Sequence, residues 1–166
     1  MSQSFIVDQE SVVYGRIKSA SLLSVKDLKK QIYTNKKAIL LLSNSNSEGV
    51  LLEPTSADSN LSGQSPLLTQ NMFTVSPMQM NGEYTSVNII HFAMSYYRVE
   101  YEWSEWMSRF ESLLKSMYWQ SAVVHLETEL SGLHTFKWES VNASHIPGKD
   151  DFNVRCEWDH EINFTE

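Results

Sequence analysis

The sequence predicts an α+β domain built on a single, mainly antiparallel sheet with helices on one face. Two observations lead to this fold class. Several short segments of the second half alternate apolar and polar residues, which is typical of half-buried strands, and one segment repeats apolar residues at helical spacing. The chain has 166 residues, of which 42% are hydrophobic, enough for one core. We therefore treat 1–166 as a single domain.

The first half of the chain shows weaker secondary-structure patterns than the second half. Val12–Ile17 is predicted as a short strand. Ser24 is predicted as the N-cap of a second, short helix over Val25–Tyr33, whose apolar residues recur at helical spacing. The next apolar run, Lys36–Leu42, is predicted as a buried strand. Residues 54–66 are rich in Ser, Asn and Pro and are predicted to form a mobile surface loop.

A β-hairpin is predicted in the middle of the chain. The dipeptide Asn81-Gly82, a strong two-residue turn signal, separates Met72–Met80 from Glu83–Met94. Pro77 cannot donate a ladder hydrogen bond, so the first of these strands is predicted at the edge of the sheet. An edge strand offers unpaired backbone groups, and a homo-oligomer formed through it is one predicted assembly.

A long amphipathic helix is predicted over about 104–118, with Ser104 as its N-cap. Its apolar residues recur three and four positions apart and form a broad stripe. The segment before it, Tyr97–Trp103, alternates aromatic or aliphatic residues with charged ones and is predicted as a strand.

Three further strands are predicted after the helix, at Ser121–Leu130, Leu133–Glu139 and Phe152–His160. Ser131-Gly132 is predicted as the tight turn between the first two. Each strand alternates, so each is predicted to bury one face against the helices and to turn the other face outward.

The charge is unevenly distributed along the chain. Residues 1–83 contain seven basic and seven acidic residues, whereas residues 84–166 contain six basic and thirteen acidic ones. The whole net charge of −7 therefore belongs to the second half. This balance argues against binding to nucleic acid or to an anionic membrane. The single cysteine, Cys156, excludes an intramolecular disulfide or a multi-cysteine metal site.

Placed on the predicted strands, the acidic residues define a candidate partner-binding surface. If all the strands share one sheet, seven acidic side chains lie on its outer face, namely Glu100, Glu102, Glu127, Glu129, Glu139, Glu157 and Asp159. The basic residues predicted on that face are Arg98, Lys137 and Arg155. Trp119, at the junction of helix and strand, is added to the surface because exposed tryptophan is enriched at binding hot spots.

A metal site is the alternative interpretation of one strand. His125, Glu127 and Glu129 point to the same side of an extended chain and are of the types that bind divalent cations. A solvated sheet face is the favoured explanation, because three residues on one strand do not converge without a neighbouring element, and no catalytic or nucleotide-binding motif accompanies them. The sequence therefore predicts no cofactor and no metal.

Three classes of function follow from these features. The first is a non-catalytic, acidic protein-binding module that neutralises a basic partner, such as an inhibitor or immunity-type protein for a nuclease-like toxin. The second is a structural subunit of a phage or secretion-type assembly, and the third is a small metal-dependent enzyme. No secretory signal is evident, and the longest aliphatic run, Ala38–Leu42, is far too short to span a membrane, so the expected location is cytoplasmic.

Overall fold

The structure is a computed structural model that describes residues 10–20, 24–42, 67–75, 89–149 and 152–158, with backbone alone at 75 and 154–158. Within these ranges the chain forms one six-stranded antiparallel sheet and two α-helices, which confirms the predicted fold class. The predicted loop at 54–66 and the predicted turn at Asn81-Gly82 lie outside the described residues.

Eight regular elements follow one another along the chain. The strands are β1 (Glu10–Lys18), β2 (Phe73–Val75), β3 (Ile89–Tyr97), β4 (Ser121–Thr128), β5 (Gly132–Ser140) and β6 (Phe152–Trp158). The helices are α1 (Val25–Leu40) and α2 (Trp103–Lys115). Two short 3₁₀ turns, Gln70–Met72 and Val99–Glu102, precede β2 and α2. None of the described helices has the length and apolar character needed to cross a membrane.

The first strand of the chain occupies the centre of the sheet. The strands lie in the order β2-β3-β1-β4-β5-β6. Tyr14 of β1 is opposite Ala93 of β3 on one side and opposite His125 of β4 on the other. Every neighbouring pair in the sheet is antiparallel, so side chains that are opposite one another share a face.

The predicted strand at Lys36–Leu42 is wrong, because α1 continues to Leu40. Helical spacing places Leu28, Asn35 and Ile39 on the buried side, whereas Leu40 and Leu41 are 56% and 79% exposed. Ser24 is the N-cap, as predicted, and its hydroxyl accepts a hydrogen bond from the backbone N–H of Asp27. The helix predicted to be short is therefore the longer of the two.

The core lies between the helices and the inner face of the sheet. Phe110 of α2 is at its centre, with its ring 5.4 Å from Phe92 and 5.1 Å from both Trp106 and Trp138. All four rings are less than 10% exposed. Aromatic pairs at these distances add favourable contact beyond the area they bury. The amphipathic helix predicted at about 104–118 is confirmed as α2, although it starts at Trp103 and ends at Lys115.

The strand predicted at Tyr97–Trp103 is wrong, because β3 ends at Tyr97. Arg98 adopts a left-handed conformation with φ of 56°, and residues 99–102 then form a 3₁₀ turn. Val99 is fully buried while Tyr101 is 73% exposed, so these alternate residues do not share a strand face. The alternation in the sequence therefore continues past the point where the chain leaves the sheet, and it does not mark a strand.

Candidate functional site

Among the side chains that the structure describes, the outer face of the sheet carries acidic and basic groups in equal number. These groups are three glutamates, Glu10, Glu127 and Glu139, and three basic side chains, Arg16, Lys18 and Lys137. The basic side chains of β1 enter this face because β1 lies between β3 and β4. The sequence interpretation had counted only strands from the second half of the chain.

Four of the predicted acidic residues nevertheless lie at the same end of the sheet, although only Glu127 of them is on its outer face. β1 begins at this end and β3 and β4 finish there, since Glu10 is opposite Tyr97 and Ser11 is opposite Thr128. Glu127 and Glu129 lie at the end of β4, and Glu100 and Glu102 lie in the 3₁₀ turn after β3. With Glu10 they form a group of five glutamates, here called the acidic end: Glu10, Glu100, Glu102, Glu127 and Glu129.

A shallow groove of about 160 Å³ gathers three of these glutamates. Glu10, Glu127 and Glu129 line it together with Val12 and Thr128. All three side chains are exposed, and none of them forms an ion pair with another described residue. Their charges therefore remain available to an external cation.

Glu100 is attached to the start of β1 by a hydrogen bond. Its carboxylate oxygen Oε2 accepts from the hydroxyl of Ser11, a side chain with no exposed surface. Ser11 belongs to the strand at the centre of the sheet, so this bond holds the 3₁₀ turn against the sheet. The pairing of β1 with β3 and β4 and the hydrogen bond between Ser11 and Glu100 thus fix the positions of the segments at the acidic end.

Large exposed side chains accompany the acidic end. Tyr97 at the end of β3 is 78% exposed, Tyr101 in the 3₁₀ turn 73%, and Leu130 in the β4–β5 turn 68%. Arg98, between the two tyrosines, is the one described cation in these segments. Tyrosine and arginine are enriched among residues that dominate protein–protein binding energies. The acidic end therefore combines charge with apolar contact area.

Trp119 does not belong to this surface, contrary to the prediction. Its side chain is fully buried, with its ring 5.1 Å from that of His145 and 5.5 Å from that of Phe152. The indole Nε1 donates to the carbonyl of Leu114 at 2.8 Å. A buried tryptophan with a satisfied N–H is part of the core.

The other three predicted acidic residues do not join the acidic end. Glu139 is exposed at the opposite end of the sheet, where it is opposite Ser121. Glu157 lies in register with Thr135 on β6, for which the structure describes the backbone. Asp159 lies outside the described residues.

His125, Glu127 and Glu129 do not form a metal-binding group. Among the residues that the structure describes, no three His, Cys, Asp or Glu side chains are placed to hold a metal ion. The Nδ1 atom of His125 is 2.9 Å from the hydroxyl of Thr135. Burial and the nearby charges of Arg16 and Lys137 lower the pKa of His125 below 6.5. Cationic neighbours also oppose the approach of a metal cation.

Sequence reasoning missed Glu10, Tyr97, Tyr101 and Leu130 at the acidic end. Each lies where a strand begins, ends or turns, and their proximity depends on the pairing of β1 with β3 and β4. Such pairing joins residues more than 80 positions apart, for which the local pattern carries no signal. Comparisons of this chain with protein families, with curated proteins and with solved structures find no match.

Proposed function

We propose that this protein is a protein-binding module that holds a basic partner at the acidic end of its sheet. The observation that carries the proposal is the groove lined by Glu10, Glu127 and Glu129, with Tyr97 exposed beside it at the same end. Carboxylates without a described ion-pair partner attract a cationic surface, and an exposed tyrosine supplies contact area with a polar tip.

Charge and aromatic contact have different effects on such a complex. Glu10, Glu127 and Glu129 form no ion pair with a described residue, and Arg98 is the one described cation in the segments of the acidic end. A field of this kind steers a basic partner and raises the association rate, an effect that salt weakens. The exposed side chains of Tyr97, Tyr101 and Leu130 would be covered by the partner, and this apolar contact slows dissociation. Salt should have little effect on this second contribution.

The finer form of the proposal is an inhibitor or immunity-type role. A protein that acts on nucleic acid has a cationic groove for phosphates, and closely spaced carboxylates can occupy such a groove in their place. The acidic end supports this role through its charge and its exposed tyrosines. Under this proposal the module itself performs no chemistry, and a nuclease-like toxin is the kind of partner it fits.

The test compares the wild-type chain with the double variant Glu127→Gln/Glu129→Gln. Each chain is immobilised, and proteins retained from extracts of the source cells are identified, purified and titrated against both. We expect a basic protein that binds the variant roughly 2- to 30-fold more weakly, because each exposed ion pair contributes about 0.2–1 kcal/mol. The affinity for the wild type should fall as salt is added.

The control is Glu139→Gln, which removes the charge of an exposed glutamate at the opposite end of the sheet. It should bind the partner like the wild type. Equal losses in both variants, or an affinity that salt does not change, would contradict binding at the acidic end. Replacing Tyr97 by Ala should weaken the same complex mainly through faster dissociation.

Assembly through an edge strand is the second candidate. Among the described strands, β2 and β6 are the two edges of the sheet, and β2 has three residues. Edges of this kind accept a strand from another chain, as a structural subunit of a larger assembly would require. Light scattering over a range of protein concentrations tests it, and a constant monomeric mass would count against it.

A further inference from the structure

A second concave site lies on the outer sheet face, next to the groove of the acidic end but lined by different residues. Its volume is about 340 Å³. Three neighbouring strands supply its lining: β1 gives Tyr14, Gly15 and Arg16, β3 gives His91, and β4 gives Val123 and His125. No carboxylate lines this pocket, in contrast to the groove at the acidic end.

Gly15 allows the strands below the pocket to approach closely. A Cβ atom at this position would lie 2.0 Å from the carbonyl oxygen of Val123 and 2.8 Å from the ring carbon Cζ of Phe92. A glycine inside a strand commonly marks such a close approach of another backbone. The close packing of the strands beneath the pocket therefore requires glycine at position 15.

The pocket is positively charged. Arg16 is exposed and is opposite His91 on one side and Val123 on the other, with Lys137 next in the same row across the sheet. Within the described ranges Arg16 forms no ion pair with a carboxylate. The guanidinium group, with its fork of N–H donors, is thus available to a ligand.

One wall of the pocket is aromatic and presents a ring nitrogen. The rings of Tyr14 and His125 are 4.9 Å apart between centroids and inclined by 32°. The Nδ1 atom of His125 bonds to the hydroxyl of Thr135, a residue that is 5% exposed. This bond fixes the ring and leaves Nε2 for a ligand.

We propose that this pocket binds an oxyanion, the phosphate or carboxylate group of a small ligand, with Arg16 as its principal donor and His91 and His125 beside it. Arginine pairs with phosphate and carboxylate groups through two parallel hydrogen bonds, which are among the strongest that proteins make. The volume suits a small molecule rather than a protein segment. The proposal is independent of partner binding at the acidic end, which uses the opposite charge.

Binding at this pocket is coupled to protonation of His125. The titratable and charged groups around it are Arg16 on β1, His91 on β3, Glu127 on its own strand and Lys137 on β5, and Tyr14 packs on its ring. Arg155 and Glu157 of β6 lie in register with Lys137 and Thr135. Burial lowers the pKa of His125, and repulsion from Arg16 and Lys137 lowers it further; an anion beside Arg16 offsets this repulsion, so bound oxyanion favours the imidazolium.

The experiment is a titration of the full chain with inorganic phosphate and, separately, with acetate, followed by NMR of the histidine rings. We expect saturable shifts of His125 and His91, with tighter binding at about pH 6 than at about pH 8. Saturation by phosphate alone assigns the site to phosphate groups, and saturation by both extends it to carboxylates. Arg16→Gln should weaken binding about tenfold or more, since a charged hydrogen-bond donor is lost.

Arg109→Gln is the matched control, because it removes an exposed arginine from α2, on the other side of the sheet, and should leave the titration unchanged. The wild type gives a second measurement that needs no variant, since saturating phosphate should raise the pKa of His125. Shifts that do not saturate, or that are equal in wild type and Arg16→Gln, would overturn the proposal. A His125 pKa unchanged by phosphate would do the same.

Discussion

His145 joins three parts of the chain through a fully buried imidazole ring. Its Nδ1 atom is 2.8 Å from the carbonyl oxygen of Met117, just after α2, and its Nε2 atom is 2.7 Å from that of Lys149. Its backbone N–H donates to the carbonyl of Trp119, on whose ring its own ring stacks. The segment between β5 and β6 is thereby held against the end of α2.

Replacing His145 by Ala should lower the free energy of unfolding by about 2–4 kcal/mol, through a buried cavity and the loss of ring hydrogen bonding to the carbonyl groups of Met117 and Lys149. Urea denaturation measures the loss. Val141→Ala, in the same segment at a position that is 64% exposed, should change stability by less than about 0.5 kcal/mol. A similar effect of both substitutions would show that the His145 contacts contribute little.

His125 should make stability depend on pH in a specific direction. Its pKa in the folded state is lowered by burial and by Arg16 and Lys137, so below pH 6.5 the unfolded chain takes up a proton that the folded chain resists. The wild type should therefore lose stability relative to His125→Gln as the pH falls from about 7.5 to about 5.5. Parallel denaturation series at both pH values measure this difference, and a difference independent of pH would refute it.

The end of β3 is the element whose geometry controls the candidate surface. Arg98 adopts a φ of 56°, which turns the chain out of the sheet and sends residues 99–102 towards β1, where Glu100 accepts from Ser11. A residue with a Cβ atom is strained in this left-handed region, and glycine is not. The left-handed residue Arg98 thus places Glu100 and Glu102 at the acidic end of the sheet, and the cost is a strained backbone conformation at Arg98.

Arg98→Gly should raise the free energy of unfolding by about 0.5–1 kcal/mol, because relief of the strained φ exceeds the added entropy of the unfolded chain. Thermal or urea denaturation measures the gain. Arg98→Ala removes the same charge and keeps the Cβ atom, so it should show no such gain. An equal gain in both variants would assign the effect to charge instead of backbone conformation.

The parts of the fold that could be predicted are the elements that a periodic pattern of apolar residues marks in the sequence. The α2 stripe and the alternation in β4, β5 and the start of β6 each reflect burial of one face, and those elements formed where the sequence predicted them. The sequence does not predict that α1 continues past Tyr33, because a short apolar run such as Ala38–Leu42 fits a buried strand as well as a buried helix segment.

The candidate site was only partly predictable, for a physical reason. Glu127 and Glu129 lie on a segment that the sequence identified, whereas the groove that they share with Glu10 depends on strand order. The central position of β1 also supplies Arg16 and Lys18, which neutralise the predicted acidic face. Neighbours brought together across a sheet are set by tertiary pairing, which a single sequence does not display.

The central position of β1 has a consequence for how the chain is made. Ser11 pairs with Tyr96 and Thr128, so the strand synthesised first among the six waits for partners that are made 85 and 117 residues later. At roughly 5–20 residues per second, that interval lasts roughly 4–23 s. During it β1 has neither neighbour and its backbone is open to other chains. Sheets built on such distant pairs fold slowly, so we expect β1 to be fully paired only after β4 has been made.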